Sequence, residues 1–135
     1  MLMKLLDTTF LIHYWAGRES TRDYLERNEK FELITTTLNI KEIAVGRALQ
    51  GKLDRHEILE TFDWLNIIPF QTEHAFLAGQ VEAQLHRDES VNQDKISFPT
   101  GDVLIAAVAK ETGATVVTEN TDDFEFLSDV SVETY

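Results

Sequence analysis

Apolar residues recur along this chain in two rhythms. Short continuous runs such as "MKLLD" and "ATVVT" have no polar alternation, the mark of strands buried on both faces of a parallel sheet. Between them, apolar residues return every three or four positions, as helices require. The order predicted is a strand at "MKLLD", a short helix "TFLIHYWAG" ended by Gly17, and a helix "STRDYLERNE" capped by Ser20 or Thr21. "FELITTT" is the second strand. "LNIKEIAVGRALQG" is helical, with Ile40, Ile43, Ala44 and Leu49 at helical spacing and a stop at Gly51. "DRHEILETFDWLN" starts at Asp54 and sets Ile58, Phe62 and Leu65 on one face. "IIPF" is a short strand whose Pro69 marks an edge or a strand end. A helix over Thr72 to Leu85 follows, then a polar, unpatterned stretch over 87–100 read as a mobile loop beside a site. A near-uniformly apolar helix behind Asp102, the strand "ATVVT", a helical turn at "DDFEFL" and a strand "VSVET" complete the chain. Strands alternating with helices predict an α/β fold with a parallel sheet, and no linker divides residues 1–135, so one domain is expected.

Composition narrows the class. At 135 residues and 43% hydrophobic content the chain can bury a core, and no run approaches the length of a membrane helix. The opening "MLMKLLDTTFLIHYW" has a superficial likeness to a signal peptide, but Asp7 interrupts it, so it reads as strand and helix. The absence of cysteine excludes disulfides and thiolate metal sites and points to a cytoplasmic protein without a membrane role. Twenty-four acids against twelve Lys and Arg leave a net charge of −12, which argues against a simple nucleic-acid coat protein. Acids scattered over the whole chain are compatible with a high-salt cytosol.

Most acids fall where solvated helix faces would put them, and four do not. Asp7 ends the first strand, Glu42 stands on the inward stripe after the second, Asp102 heads the apolar helix, and Asp123 follows "ATVVT". A parallel sheet would carry all four to one rim, where ligands bind. Each has a plain alternative: Asp7 and Asp102 as helix caps, Glu42 in a capping box opened by Asn39, Asp123 in a turn. Taken together they form a set of hard oxygen donors suited to Mg²⁺ or Mn²⁺ and to metal-assisted attack of water on a phosphodiester. The four histidines lack metal-ligand spacing. No Walker A, dinucleotide-binding or Ser-elbow motif occurs.

With these acids placed, "LLDTTFLI", "TTTLNIKEIAVG", "TGDVLIAAVAKETGA" and "VVTENTDDFEFL" resemble, in order and spacing, the PIN-domain ribonucleases, specifically VapC-type toxins of toxin–antitoxin modules. The resemblance runs essentially end to end. It implies a three-layer α/β/α domain and a Mg²⁺- or Mn²⁺-dependent endoribonuclease acting on RNA. It also implies a homodimer and inhibition by a cognate VapB-type antitoxin. Carried onto matching positions, it makes Asp7, Glu42 and Asp102 the metal-binding acids and Asp123 the fourth member of the catalytic quartet. Thr8, Thr118 and Asn120 become a supporting shell. Asp123 is preferred over Asp122 because it directly precedes Phe124, and Asn120 is an alternative fourth group.

An RNA substrate asks for a local basic track in an acidic protein. Arg18, Arg22, Arg47, Lys52 and Arg55 flank the relevant helices and could line one, or be ordinary solvated residues. Two other readings keep the fold: a PIN nuclease of RNA maturation, and a non-catalytic PIN binding module. A phosphatase working through an aspartyl phosphate is disfavoured, since Thr9 stands where its second Asp would be.

Overall fold

A computed structural model of the chain describes residues 2–87, 100–124, 127 and 129–135. Its elements run β1 (Met3–Leu6), α1 (Thr8–Trp15), α2 (Glu19–Arg27), β2 (Glu32–Thr36), α3 (Thr37–Leu49) and α4 (Arg55–Thr61). They continue with β3 (Asn66–Ile68), α5 (Thr72–Arg87), α6 (Thr100–Thr112), β4 (Thr115–Val117), a 3₁₀ turn (Thr121–Phe124) and β5 (Val132–Glu133). The strands form a parallel five-stranded sheet in the order β3-β2-β1-β4-β5. The predicted α/β fold is the one observed.

Successive residues of each strand supply opposite faces of this sheet. Leu5, Ile34 and Val116 pack beneath Ile105, Ala106, Val108 and Ala109 of α6 and Phe124 of the 3₁₀ turn. Leu6 and Val117 face the other way, against Phe10 and Leu11 of α1, Tyr24 of α2, Ile43 of α3 and Ile58 of α4. The result is a sheet between two helical layers. Helix α5 adds an outer element, meeting α6 through Ala78, Val103 and Ala107. Double coverage is why α6 is apolar nearly all round: one side meets the sheet and another meets α5. Gly113, at φ +72°, takes the left-handed conformation that ends α6 and turns the chain into β4.

Three local expectations need correction. Helix α2 begins at Glu19 behind Arg18 rather than at a Ser20 or Thr21 cap, and the buried Thr21 hydroxyl donates to the Arg18 carbonyl at 2.6 Å. The helix opened by Asp54 stops at Thr61, so Phe62 and Leu65 reach the core from outside a helix. In α3 the cap is Thr36, not Asn39. The Thr36 side chain accepts from Leu38 and Asn39 N–H groups, and Asn39 returns a bond to the Thr36 N–H. Glu42 therefore plays no part in capping. Strand β3 is an edge strand ending just before Pro69, as that residue predicted. Of the stretch over 87–100 read as a loop beside the site, Arg87 ends α5 and Thr100 begins α6, and 88–99 lie outside the described residues. No helix among the described residues is long and apolar enough to cross a membrane.

Candidate active site

The order of the strands decides where the acids meet. Leading from β1, the chain adds β2 and β3 on one side and later β4 and β5 on the other. The crevice between β1 and β4 is thus the switch point, and its mouth lies beyond the carboxyl ends of both strands. Asp7 is the residue after β1, and its N–H donates to the Val117 carbonyl of β4 at 3.0 Å. Thr118 is the residue after β4. The two side chains meet there, with the Thr118 hydroxyl donating to Asp7 Oδ2 at 2.9 Å.

Asp7 occupies the N-cap position of α1, yet its side chain makes no capping bond. Its second oxygen, Oδ1, accepts from Asn39 Nδ2 at 3.1 Å. The same amide nitrogen reaches Thr8 Oγ1 at 3.0 Å, and that hydroxyl donates to Glu42 Oε2 at 2.7 Å. Asn39 Oδ1 in turn accepts from Thr36 Oγ1 at 2.7 Å and from the Thr36 N–H at 3.1 Å. One fully buried amide thus ties the ends of β1, α1 and α3 into a single frame around two carboxylates. Helix α6 closes in from the opposite side: a Cβ on Gly101 would sit 3.3 Å from Glu42 Oε1. Asp102 follows it in the first turn of α6, inside the helix rather than at its cap.

The electrostatics record this crowding. Burial raises the Asp7 carboxyl, and hydrogen bonds from Thr118, the Thr8 N–H and Asn39 oppose that rise while the charge of Asp123 adds to it. Glu42 is raised by burial first and by Asp7, against the bond from Thr8. Asp102 is pushed up to about 7, by burial first and then by the charges of Asp7, Asp123 and Glu42. Four carboxylates therefore feel one another. None of them forms an ion pair among the described residues. Asp123 acts on both Asp7 and Asp102, whereas the neighbouring Asp122 does not figure among the causes of either shift.

Whether these groups suit a cation turns on the donor set. Among the described residues no group of three or more acid or histidine side chains is placed to hold a metal ion by itself. A structural zinc site would need one. Mg²⁺ and Mn²⁺ do not, since such ions keep several waters and are held through one or two carboxylates plus substrate oxygens. A set of hard oxygen donors, raised by burial first and by one another's charge second, fits that class.

The remaining expected residues divide. Thr8 and Thr118 stand in the shell. Asn120 touches it through its backbone, whose N–H donates to Thr118 Oγ1 at 3.1 Å, while its side chain is exposed. Of the basic residues, Arg47 shares a groove wall with Glu42. Arg18 lies 3.8 Å from Glu119. Arg22, Lys52 and Arg55 are exposed and are not gathered toward the acids by any contact among the described residues. The residue that sequence reading missed is Asn39, taken there for a cap. The available signal was its place three residues before Glu42 and four before Ile43, because an amide on an inward stripe must find partners.

A PIN domain family model matches residues 4–129 of the chain. Among solved structures, VapBC2 from Rickettsia felis bound to a promoter DNA fragment matches with a TM-score of 0.78 at 19% identity, covering 99% of each chain. FitAcB from Neisseria gonorrhoeae matches with a TM-score of 0.71 at 26% identity, covering 97% of this chain and 96% of that one. VapBC-5 of Mycobacterium tuberculosis, a member of the VapBC family of toxin–antitoxin systems, gives 0.66 at 22% identity over 99% and 98%. No curated protein matches the chain.

Proposed function

Since the chain belongs to the PIN-domain family, we propose that it is a metal-dependent endoribonuclease acting as the toxin of a toxin–antitoxin pair. The observation that supports this reading is the Asp102 carboxyl, raised to about 7 by burial first and then by the charges of Asp7, Asp123 and Glu42. Such perturbation clusters at functional sites. The toxin assignment and a VapB-type antitoxin partner are carried over from structures of like fold, and a homodimeric state from the family resemblance alone.

In this reading Asp7, Glu42 and Asp102 are the residues that would hold a divalent cation, Mg²⁺ or Mn²⁺, together with substrate oxygens and water, and Asp123 would complete the site. Such an ion supplies positive charge to the phosphodiester and activates the attacking water. The protein's own part is to keep the carboxylates fixed. Thr118 and Asn39 occupy the two oxygens of Asp7, and Thr8 occupies one oxygen of Glu42 while Oε1 faces Gly101. Rotation of either carboxylate would break one of these bonds, so the donors are pre-aimed. With its carboxyl raised to about 7, Asp102 would have to give up a proton to take a cation, so binding of the ion would strengthen as pH rises.

The test is cleavage of total RNA by wild type and Asp7→Asn, with Mn²⁺, Mg²⁺ or EDTA, at low and molar salt. Discrete fragments that require the metal and disappear in the variant support the proposal. A folded, inhibitor-free wild type that cuts nothing under any of these conditions refutes it and leaves a binding module.

A further inference from the structure

Beside the acids, a groove of about 330 Å³ runs between α1 and α3, lined in part by Ile12, Trp15, Ile43, Gly46 and Arg47, with Glu42 as a shared wall. Its volume lies within the range of small-ligand pockets, about 300–1,000 Å³. The groove is mostly apolar but contains one organised cation. The Arg47 guanidinium lies over the Trp15 ring at 4.5 Å and donates from Nη2 to Glu57 Oε1 at 2.9 Å. The buried Nε of the same residue has no hydrogen-bond partner among the described residues. Ile12 is half exposed, and no side chain fills the space over Gly46, where an added Cβ would meet nothing within 4 Å.

We propose that this groove is a nucleobase subsite for the RNA substrate, in which an unstacked base lies against the Arg47 guanidinium while its backbone passes Glu42 toward the acid cluster. The inference rests on the nuclease reading and specifies where that site grips its substrate. A planar guanidinium lying over an indole and bonded to a carboxylate is a platform for a base, and Arg planes serve single-stranded RNA in this way. The apolar floor of Ile12 and Ile43 suits a base and not a phosphate, so the charged backbone is directed to the neighbouring acids and their cation. Sharing Glu42 makes the two sites continuous. An overall acidic protein thereby gains purchase on RNA without a broad basic surface.

The test fills the groove without touching an acid. In Gly46→Leu the backbone is ordinary helix and the space is open, so the fold is retained, which thermal unfolding checks. A second variant, Arg47→Lys, keeps the charge and loses the plane. Each is assayed with metal against a single-stranded oligoribonucleotide of mixed sequence and against a small phosphodiester without a base, bis-p-nitrophenyl phosphate. Loss of about tenfold or more in kcat/KM on RNA, mainly through KM, with the small ester hydrolysed as by wild type, supports the subsite. Unchanged RNA cleavage by Gly46→Leu overturns it and leaves the groove to a protein partner. Equal loss on both substrates in both variants also overturns it. A wild type inert toward both substrates removes the nuclease reading and the subsite with it.

Discussion

Replacing Asp102 by Asn should stabilise the metal-free protein while abolishing its metal response. The Asp102 carboxyl is raised from 3.8 to about 7 by burial and by Asp7, Asp123 and Glu42. Fully expressed, that rise corresponds to about 4 kcal/mol of preference for the neutral form. Asp102 is only half-buried, so solvent and salt reduce the effect to about 1–2 kcal/mol. The direction follows from linkage. A carboxyl whose folded pKa lies above its unfolded value favours folding fully below pH 3.8, and that contribution is lost as pH rises through about 7. The Asn variant carries no such charge. Urea unfolding in EDTA should therefore find it more stable than wild type by about 1–2 kcal/mol at pH 8, with the gap closing toward pH 4. Millimolar Mn²⁺ should stabilise the wild type and not the variant. A variant no more stable than wild type at pH 8 would refute the reasoning, because it would mean that neither burial nor the neighbouring acids disfavour the charged carboxylate there.

Asn39→Ala removes the amide that holds Asp7, Thr8 and Thr36 together, and chemical denaturation should record a loss of about 2–4 kcal/mol. Thr118→Val deletes a bond that lowers the Asp7 carboxyl, so carboxyl NMR titration should find Asp7 raised further than in wild type. Asp123→Asn should lower the Asp102 carboxyl in the same titration and Asp122→Asn should leave it in place; equal effects of the two would refute the choice of Asp123. Phe124→Ala, in the core beneath the same turn, should cost about 3–5 kcal/mol in thermal unfolding without altering the acids.

The rhythm of apolar residues made the architecture legible because burial on a known face is a local property. "MKLLD" and "ATVVT" have no polar alternation, and in the folded protein Leu5 and Val116 line one layer while Leu6 and Val117 line the other. The same logic located Asp7 at the end of β1, since a carboxylate after a fully buried run must lie at its rim. It failed where partners are remote in sequence. Asn39 looked like a cap because the alternative, a bond to Asp7 thirty-two residues earlier, has no signature along the chain. The start of α2 was misplaced for a similar reason: Thr21 has the chemistry of a cap, but burial turned its hydroxyl inward to the Arg18 carbonyl.

Sequence alone thus determined the class of fold, the residues that could meet a ligand and the kind of chemistry that hard oxygen donors allow. Tertiary structure decided which of them meet. Setting β1 beside β4 joined Asp7 to Thr118 across 111 positions, and packing α6 close to α3 brought Gly101 against Glu42 and Asp102 into the field of the other acids. Distances of that kind depend on strand order and on the coverage of both sheet faces. No periodicity within a single segment carries that information.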